Sequence, residues 1–550
     1  MCKKKNWKKV TAMGMAMALM VTCLGCGETK KGANGSGDDK NIQVFIYDAG
    51  YGTEWLEATK EAFIEKHPEY TIEITKQASA DVIDTILLSG PTANEYDLMI
   101  VGDIIPEMYL DKGSSALKGY DYLFESLDDV YATTVEGENV TFEEKMLDSF
   151  RDAEAYEVYD EESGETEEHF FTVPWTSSVS GLFYNQTKFE NCGLTHEPRT
   201  TTELMAYCDT LKSKGETPLI YSSSTGYWEY LFPVWWCQYE TIQGYDDCYN
   251  LTASGIISKS VLEQEGILES ARVLQNILNP DTGYSAELVA SMDFTKAQAL
   301  FISSEEGVIQ PNGDWLENEM KDFSEHVKDD FGLMKTPIIS ALSDKMSYWT
   351  LKGNYTDAVS DASQAATLKK YDEKLAELVD YVDGVTDTLP SGTLESDAEI
   401  VREARSIERF GSSTTKAVIP AYASAKDAAK EFLKFWATDE AIECYLDNCI
   451  NSTFPFEYDI TKWAGYDDMS AIGLRKFEIL TEATCLPYSG SYKSVYAGGF
   501  NPWRMKQRHF EDVFASPNKS DRQTVEEIRE NTLTYWNDSR WNSMLSQTGY

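Results

Sequence analysis

The sequence predicts an α/β fold built as two lobes. Strand, glycine loop and helix alternate from Ile42 onward, a second block with the same alternation starts at Phe170, and 550 residues exceed what one hydrophobic core organises. Two units of mostly parallel sheet flanked by helices follow from that pattern.

The elements are justified in chain order. Lys3, Lys4, Lys5, Lys8 and Lys9 precede an apolar run from Val10 to Leu24, and the run ends in small residues. Positive, apolar, then small is the pattern of a secretory signal, and the run is shorter than the ~20 apolar residues a bilayer span needs. Cys23-Leu24-Gly25-Cys26 is also a CxxC spacing, but no second CxxC completes a zinc site. The stretch resembles a lipoprotein lipobox, which makes residues 1–25 the signal and Cys26 the lipidated N-terminus. Cys23 stands where that pattern has an aliphatic residue, and it is the alternative lipid carrier. Two acyl chains give the stable membrane hold that one does not. Residues 26–40, rich in Gly, Ser, Asn, Lys and Asp, bury nothing and form a flexible tether.

Ile42–Tyr47 is a β-branched run, Trp55–Lys66 has apolar residues at helical spacing, Tyr70–Thr75 is the next strand, Asp81–Leu88 the next helix, and Asp97–Val101 a fully buried strand. Glu154–Glu168 alternates and turns at Ser163-Gly164 as a solvated hairpin. In the second block a helix runs from Thr201 to a glycine stop at Gly215. Helices follow over Gly255–Leu278 and Lys296–Ser303, and "GVIQPNGDW" is a strand entering a loop. Residues 351–410 have little strand character and a long helix near Thr367–Val382, so they form an insertion.

Composition narrows function. Without the signal, 43 basic residues face 92 acidic ones, a formal charge of −49, which excludes nucleic acid as a partner. The mature chain has an odd number of cysteines beyond the anchor, so it is no disulfide scaffold, although Cys237 and Cys248 could pair. GxSxG, HExxH and GxxxxGK[ST] are all missing, and His67, His169, His196, His326 and His509 have no ligand spacing. No cofactor, metal or nucleophile chemistry is indicated. A carboxylate pair, as in a glycoside hydrolase, carries no information among 92 acids.

Three phrases, "TVPWTSSVSGLFYNQTKF", "FTKAQALFISSEEGVIQPNGDWL" and "AVIPAYASAKDAAKEFLKFWATDEAIECYL", and the closing "DRQTVEEIRENTLTYW" resemble, in order and spacing, extracellular solute-binding proteins of the carbohydrate-binding family that serves ABC importers. The resemblance spans Ile42 to Asn537. It implies a two-lobed, periplasmic-binding-protein-like fold: residues 41–119 plus 411–450 in the first lobe, 120–342 plus 451–550 in the second, and a ligand cleft and hinge between. It also implies a monomer that captures a sugar, hands it to permease subunits and performs no catalysis. With the lipid anchor, the expected location is the outer face of a Gram-positive cell membrane.

Aromatic planes cover the C–H face of a pyranose, and polar side chains address its hydroxyls. By the resemblance Trp315 and Asp314 carry the ligand loop, and Trp175 and Tyr227 or Trp228 face the cleft from the second lobe. Asp314 could instead be an N-cap. In the first lobe Tyr51 and Trp55 follow the glycine loop, and Asp103 ends a buried strand at the sheet's C-terminal edge, where α/β ligands collect. Trp503 is a further candidate. With 13 tryptophans, each of these is weighed against ordinary core packing.

Overall fold

A computed structural model describes residues 40–549 except 49, 78–82, 93, 103, 111–119, 121, 160–165, 325–326, 351–361 and 410–414. The signal, Cys26, Asp103 and the Ser163-Gly164 turn lie outside the described residues.

Eight strands build the two main sheets: β1 (Asn41–Ile46), β2 (Thr71–Lys76), β3 (Leu98–Val101), β4 (Thr172–Pro174), β5 (Ser180–Asn185), β6 (Ile309–Gly313), β7 (Phe331–Leu333) and β8 (Lys416–Val418). The first sheet has the order β2-β1-β3-β8-β4. β1 runs parallel to β2 and β3, whereas β8 is antiparallel to both its neighbours, with Lys416 opposite Val101 and Pro174. β3, "LMIV", is buried at every position because helices cover both faces. On one face α1 (Glu54–Lys66) turns Trp55, Leu56, Thr59 and Phe63 inward, and Phe63 meets Phe432 and Phe435. Asp97, just before β3, accepts from the backbone N–H groups of Ser424 and Ala425 and from Gln43 N, which fixes the start of the helix Lys426–Trp436 against the sheet.

β8 also carries a buried ion pair. Lys416 Nζ donates to Glu154 Oε1 at 2.7 Å and to the Tyr156 hydroxyl at 2.9 Å, and Thr172 Oγ1 donates to the other Glu154 oxygen. Removing one partner would leave a charge alone in the interior, so the pair fixes the hairpin of Ala155–Tyr159 and Thr166–Phe170 to the sheet.

The fold is two-lobed α/β, as expected, but the second sheet differs in direction. β5 pairs antiparallel with both β6 and β7, and the parallel pairings described in this lobe are short: the isolated bridges Leu219–Ile309, Leu219–Ser285 and Thr200–Ile338, and the two-residue pair of Ile407–Glu408 with Thr484–Cys485. The phrase over Phe170–Gly193 divides between the sheets: β4 joins the first and β5 the second. Residues 454–463 also run along the first lobe, where Leu147 N donates to Pro455 O and Trp463 Nε1 to Asp447. The helix expected over Gly255–Leu278 begins only at Glu265, because Ser254 and Gly255 take positive φ and turn a short hairpin first. Cys237 and Cys248 are buried free thiols, so the possible pair is not formed.

Part of the inserted region, Ala362–Val382 and Glu395–Ser406, is a helix pair that docks on the second lobe. Arg199 holds Asp380, and Arg405 donates from Nε and Nη2 to Asp383.

Candidate ligand cleft

Chain segments at Thr176–Ser177, Thr415 and Thr453 meet at the boundary between the lobes, and short hydroxyl side chains hold them together. Thr176 Oγ1 and Ser177 N both donate to Thr453 O, Thr415 Oγ1 donates to Thr176 O, and Tyr445 OH donates to Thr176 Oγ1. Beside these segments lies a cavity of about 540 Å³, within the range of small-molecule sites. Tyr47, Gly50, Tyr51 and Gly102 line it from the first lobe, Tyr227, Tyr230, Trp315, Glu319 and Trp503 from the second, and Ser178, Arg409 and Thr415 from the boundary.

Local geometry decides which aromatic rings reach this wall. Gly226, at φ +70°, turns the chain into a 3₁₀ helix over Tyr227–Tyr230. Three residues per turn put Tyr227 and Tyr230 on one side, with rings stacked 5.3 Å apart, and send Trp228 inward to full burial. Trp228 N donates to Glu511 Oε1, a carboxyl that burial and the nearby Glu229 push up to about 8. Trp315 stands edge-on to Tyr51, Tyr227 and Tyr230, with centroids 6.2–6.3 Å away.

The two lobes also touch directly. The Tyr51 hydroxyl donates to Asp314 Oδ1 and lies 3.2 Å from Ser178 Oγ, and Asn318 Nδ2 donates to Gly50 O at 2.9 Å. A Cβ on Gly50 would lie 2.8 Å from Glu319 Oε1, so glycine permits the close approach. Asp314 is fully buried behind Trp315 rather than on the cavity wall, and burial raises its carboxyl above the usual range. It accepts from Tyr51 and Thr453 and caps no helix.

Of the predicted residues, Tyr51, Tyr227, Trp315 and Trp503 line the cavity. Trp55 and Trp175 stack on each other at 5.4 Å inside the first lobe, and Trp228 packs in the second-lobe core, so none of the three is on the wall. Asp103 lies outside the described residues, next to Gly102. Sequence reasoning missed Tyr230, Glu319 and Arg409. The Gly-Tyr-x-x-Tyr spacing of a 3₁₀ turn could have found Tyr230; Arg409, at the end of the inserted region, has no sequence signal.

A larger cavity, about 750 Å³, lies away from the cleft between the inserted helices and the helix Ala471–Glu482. Its Arg199, Arg405 and Arg475 are engaged with carboxylates of neighbouring elements, so it is a charged seam within the second lobe.

Comparison with known proteins adds to this geometry. Residues 49–273 match the family described as bacterial extracellular solute-binding protein. A multiple sugar-binding protein of Streptococcus mutans is 24% identical over 324 residues, 56% of this chain and 66% of that protein. A diacetylchitobiose binding protein of Streptomyces coelicolor is 22% identical, over 58% and 61% respectively. The chain thus spans under two thirds of the length of these relatives. An ABC substrate-binding protein of Listeria monocytogenes, solved in complex with cycloalternan, superposes with a TM-score of 0.56 at 12% identity, over 93% of this chain and 100% of that one. The matched segment runs from the first glycine loop through Tyr227 and Tyr230 into the second-lobe core and is similar to the bacterial extracellular solute-binding proteins, and the two-lobed fold extends over the rest.

Proposed function

We propose that this chain is anchored by lipid on Cys26 at the outer face of the cell membrane. There, as a monomer, it captures a sugar of several units in the cleft and delivers it to the membrane subunits of an ABC importer. The observation that carries the reading is the wall of Tyr227, Tyr230, Trp315 and Trp503 at the lobe boundary, where ring faces and edges meet polar groups from both lobes. Such a wall suits a pyranose, which presents C–H faces and a hydroxyl rim. The sugar-binding names of the relatives support the same reading.

Binding without turnover is part of the proposal. Of the two wall carboxylates among the described residues, Glu229 is engaged by His509 Nδ1 at 3.1 Å and Glu319 by Gln298 Nε2 at 2.9 Å. A thermal-shift screen of mono- and oligosaccharides tests the reading, because a ligand at 100 times its Kd stabilises by about 2.7 kcal/mol. Calorimetry on the hits should give one site per chain. Product analysis should recover the sugar intact, and release of cleaved sugar beyond one turnover would overturn the non-enzymatic role. Cys26→Ala should abolish lipid labelling and leave sugar binding intact. Labelling lost in Cys23→Ala instead would move the anchor.

A further inference from the structure

The cavity wall holds one cation among the described residues, Arg409, and its setting differs from that of Arg199, Arg272, Arg405 and Arg475. Each of those four is engaged by at least one carboxylate. Arg409 has none among the described residues. Its guanidinium carbon lies over the Tyr230 ring, 4.3 Å from the centroid, and Nη1 donates to Ser180 Oγ at 3.3 Å. Its own carbonyl accepts from Ser180 N at 2.9 Å, so backbone and side chain are both fixed at the crossing into β5. A ring and a hydroxyl therefore orient the group, while among the described residues no partner takes Nε or Nη2. A planar fork held in this way matches a carboxylate, to which it can donate two parallel hydrogen bonds.

Resting on the sugar-binding reading above, we infer that the ligand is an acidic oligosaccharide and that Arg409 receives the carboxylate of a uronic acid unit while Tyr227, Tyr230 and Trp315 take the faces of the sugar rings. Among the described residues, the wall carboxylates Glu229 and Glu319 are turned to partners of their own, and burial holds the Glu319 carboxyl above its usual range. The chain's net charge of −44 is screened over ~8 Å at physiological salt, so the nearby guanidinium dominates inside the cleft.

The test uses the full chain and matched probes: trigalacturonate against 1,4-linked galactotriose, and a glucuronic acid-bearing xylotriose against xylotetraose. The acidic member of a pair should bind about tenfold tighter or more. Arg409→Gln should bring the acidic-to-neutral ratio to about one, and Arg409→Lys should keep part of the preference because it keeps the charge and loses the fork. The wild-type ratio needs no variant, so a poorly folded substitution cannot hide the answer. Neutral sugars binding as well as acidic ones, or a ratio unchanged in Arg409→Gln, would overturn the acidic assignment and leave sugar binding standing. Failure of every sugar in the wider screen, acidic and neutral, would overturn the sugar reading and this inference with it.

Discussion

Tyr227, Trp228 and Tyr230 show how three aromatic neighbours separate into two roles. A pattern of residue types cannot distinguish them; the 3₁₀ turn after Gly226 does, by placing the tyrosines on the cavity and the tryptophan in the core. Trp228→Ala should therefore cost about 3–5 kcal/mol of stability, read as a lowered Tm. Trp315→Ala should leave Tm within a few degrees and weaken sugar binding about tenfold or more by calorimetry. Equal Tm losses in both would make Trp315 a core residue. Asp314 was legible as a residue of interest but not in its role, because its partner Tyr51 lies 263 residues away. Tyr51→Phe deletes the hydroxyl that joins the lobes and leaves a buried carboxyl short of a donor. The expected cost is about 1–3 kcal/mol, shared between stability and affinity.

Among elements, those set by local periodicity were legible and those set by distant pairing were not. Strands β1 to β3 and α1 lie within a residue or two of the sequence reading, since apolar runs and glycine breaks determine them. β8 is three residues long, and nothing in Lys416–Val418 shows that it fits antiparallel between β3 and β4. The antiparallel second sheet was hidden for the same reason, because direction is a property of pairing. Gly226 is the point at which one element depends on one residue. A Cβ there would lie 2.3 Å from His509 Nδ1, and φ +70° is strained for any side chain. Gly226→Ala should displace the Tyr227–Tyr230 turn and lower sugar affinity more than Tm. Gly215→Ala, also at positive φ but with open space around the new methyl, should lower Tm slightly and leave affinity unchanged.

At the scale of the molecule, buried acids set the response to pH. The Glu511 carboxyl stands at about 8 against an ordinary 4.5, mainly through burial and then through Glu229. Glu269, buried beside Arg272, stands at about 7. Between pH 4.5 and these values the folded chain holds protons that the unfolded chain has released. The contribution of these two groups to stability is therefore full below pH 4.5 and falls as pH rises, by at most about 1.4 kcal/mol per pH unit for each group. Glu511→Gln should flatten the fall in Tm between pH 6 and 8. An unchanged slope would show that Glu511 stays ionised in the fold.

The position of β8 also constrains the order in which the molecule can be completed. Asp97 meets Ala425 N across 328 residues, and Lys416 meets Glu154 across 262. A chain made from its N-terminus has both strand partners of β8 and the second-lobe sheet β5 to β7 synthesised before it can close the first. Loop-closure entropy on that scale makes the final pairing slow, and the unfinished sheet exposes strand edges until it arrives. Until β8 arrives, the first sheet stays open between β3 and β4. A truncated chain ending at Ser406 should show no cooperative unfolding of the first lobe. Refolding of the whole chain should have a slow phase that ends with protection of the β3 and β8 amides from hydrogen exchange.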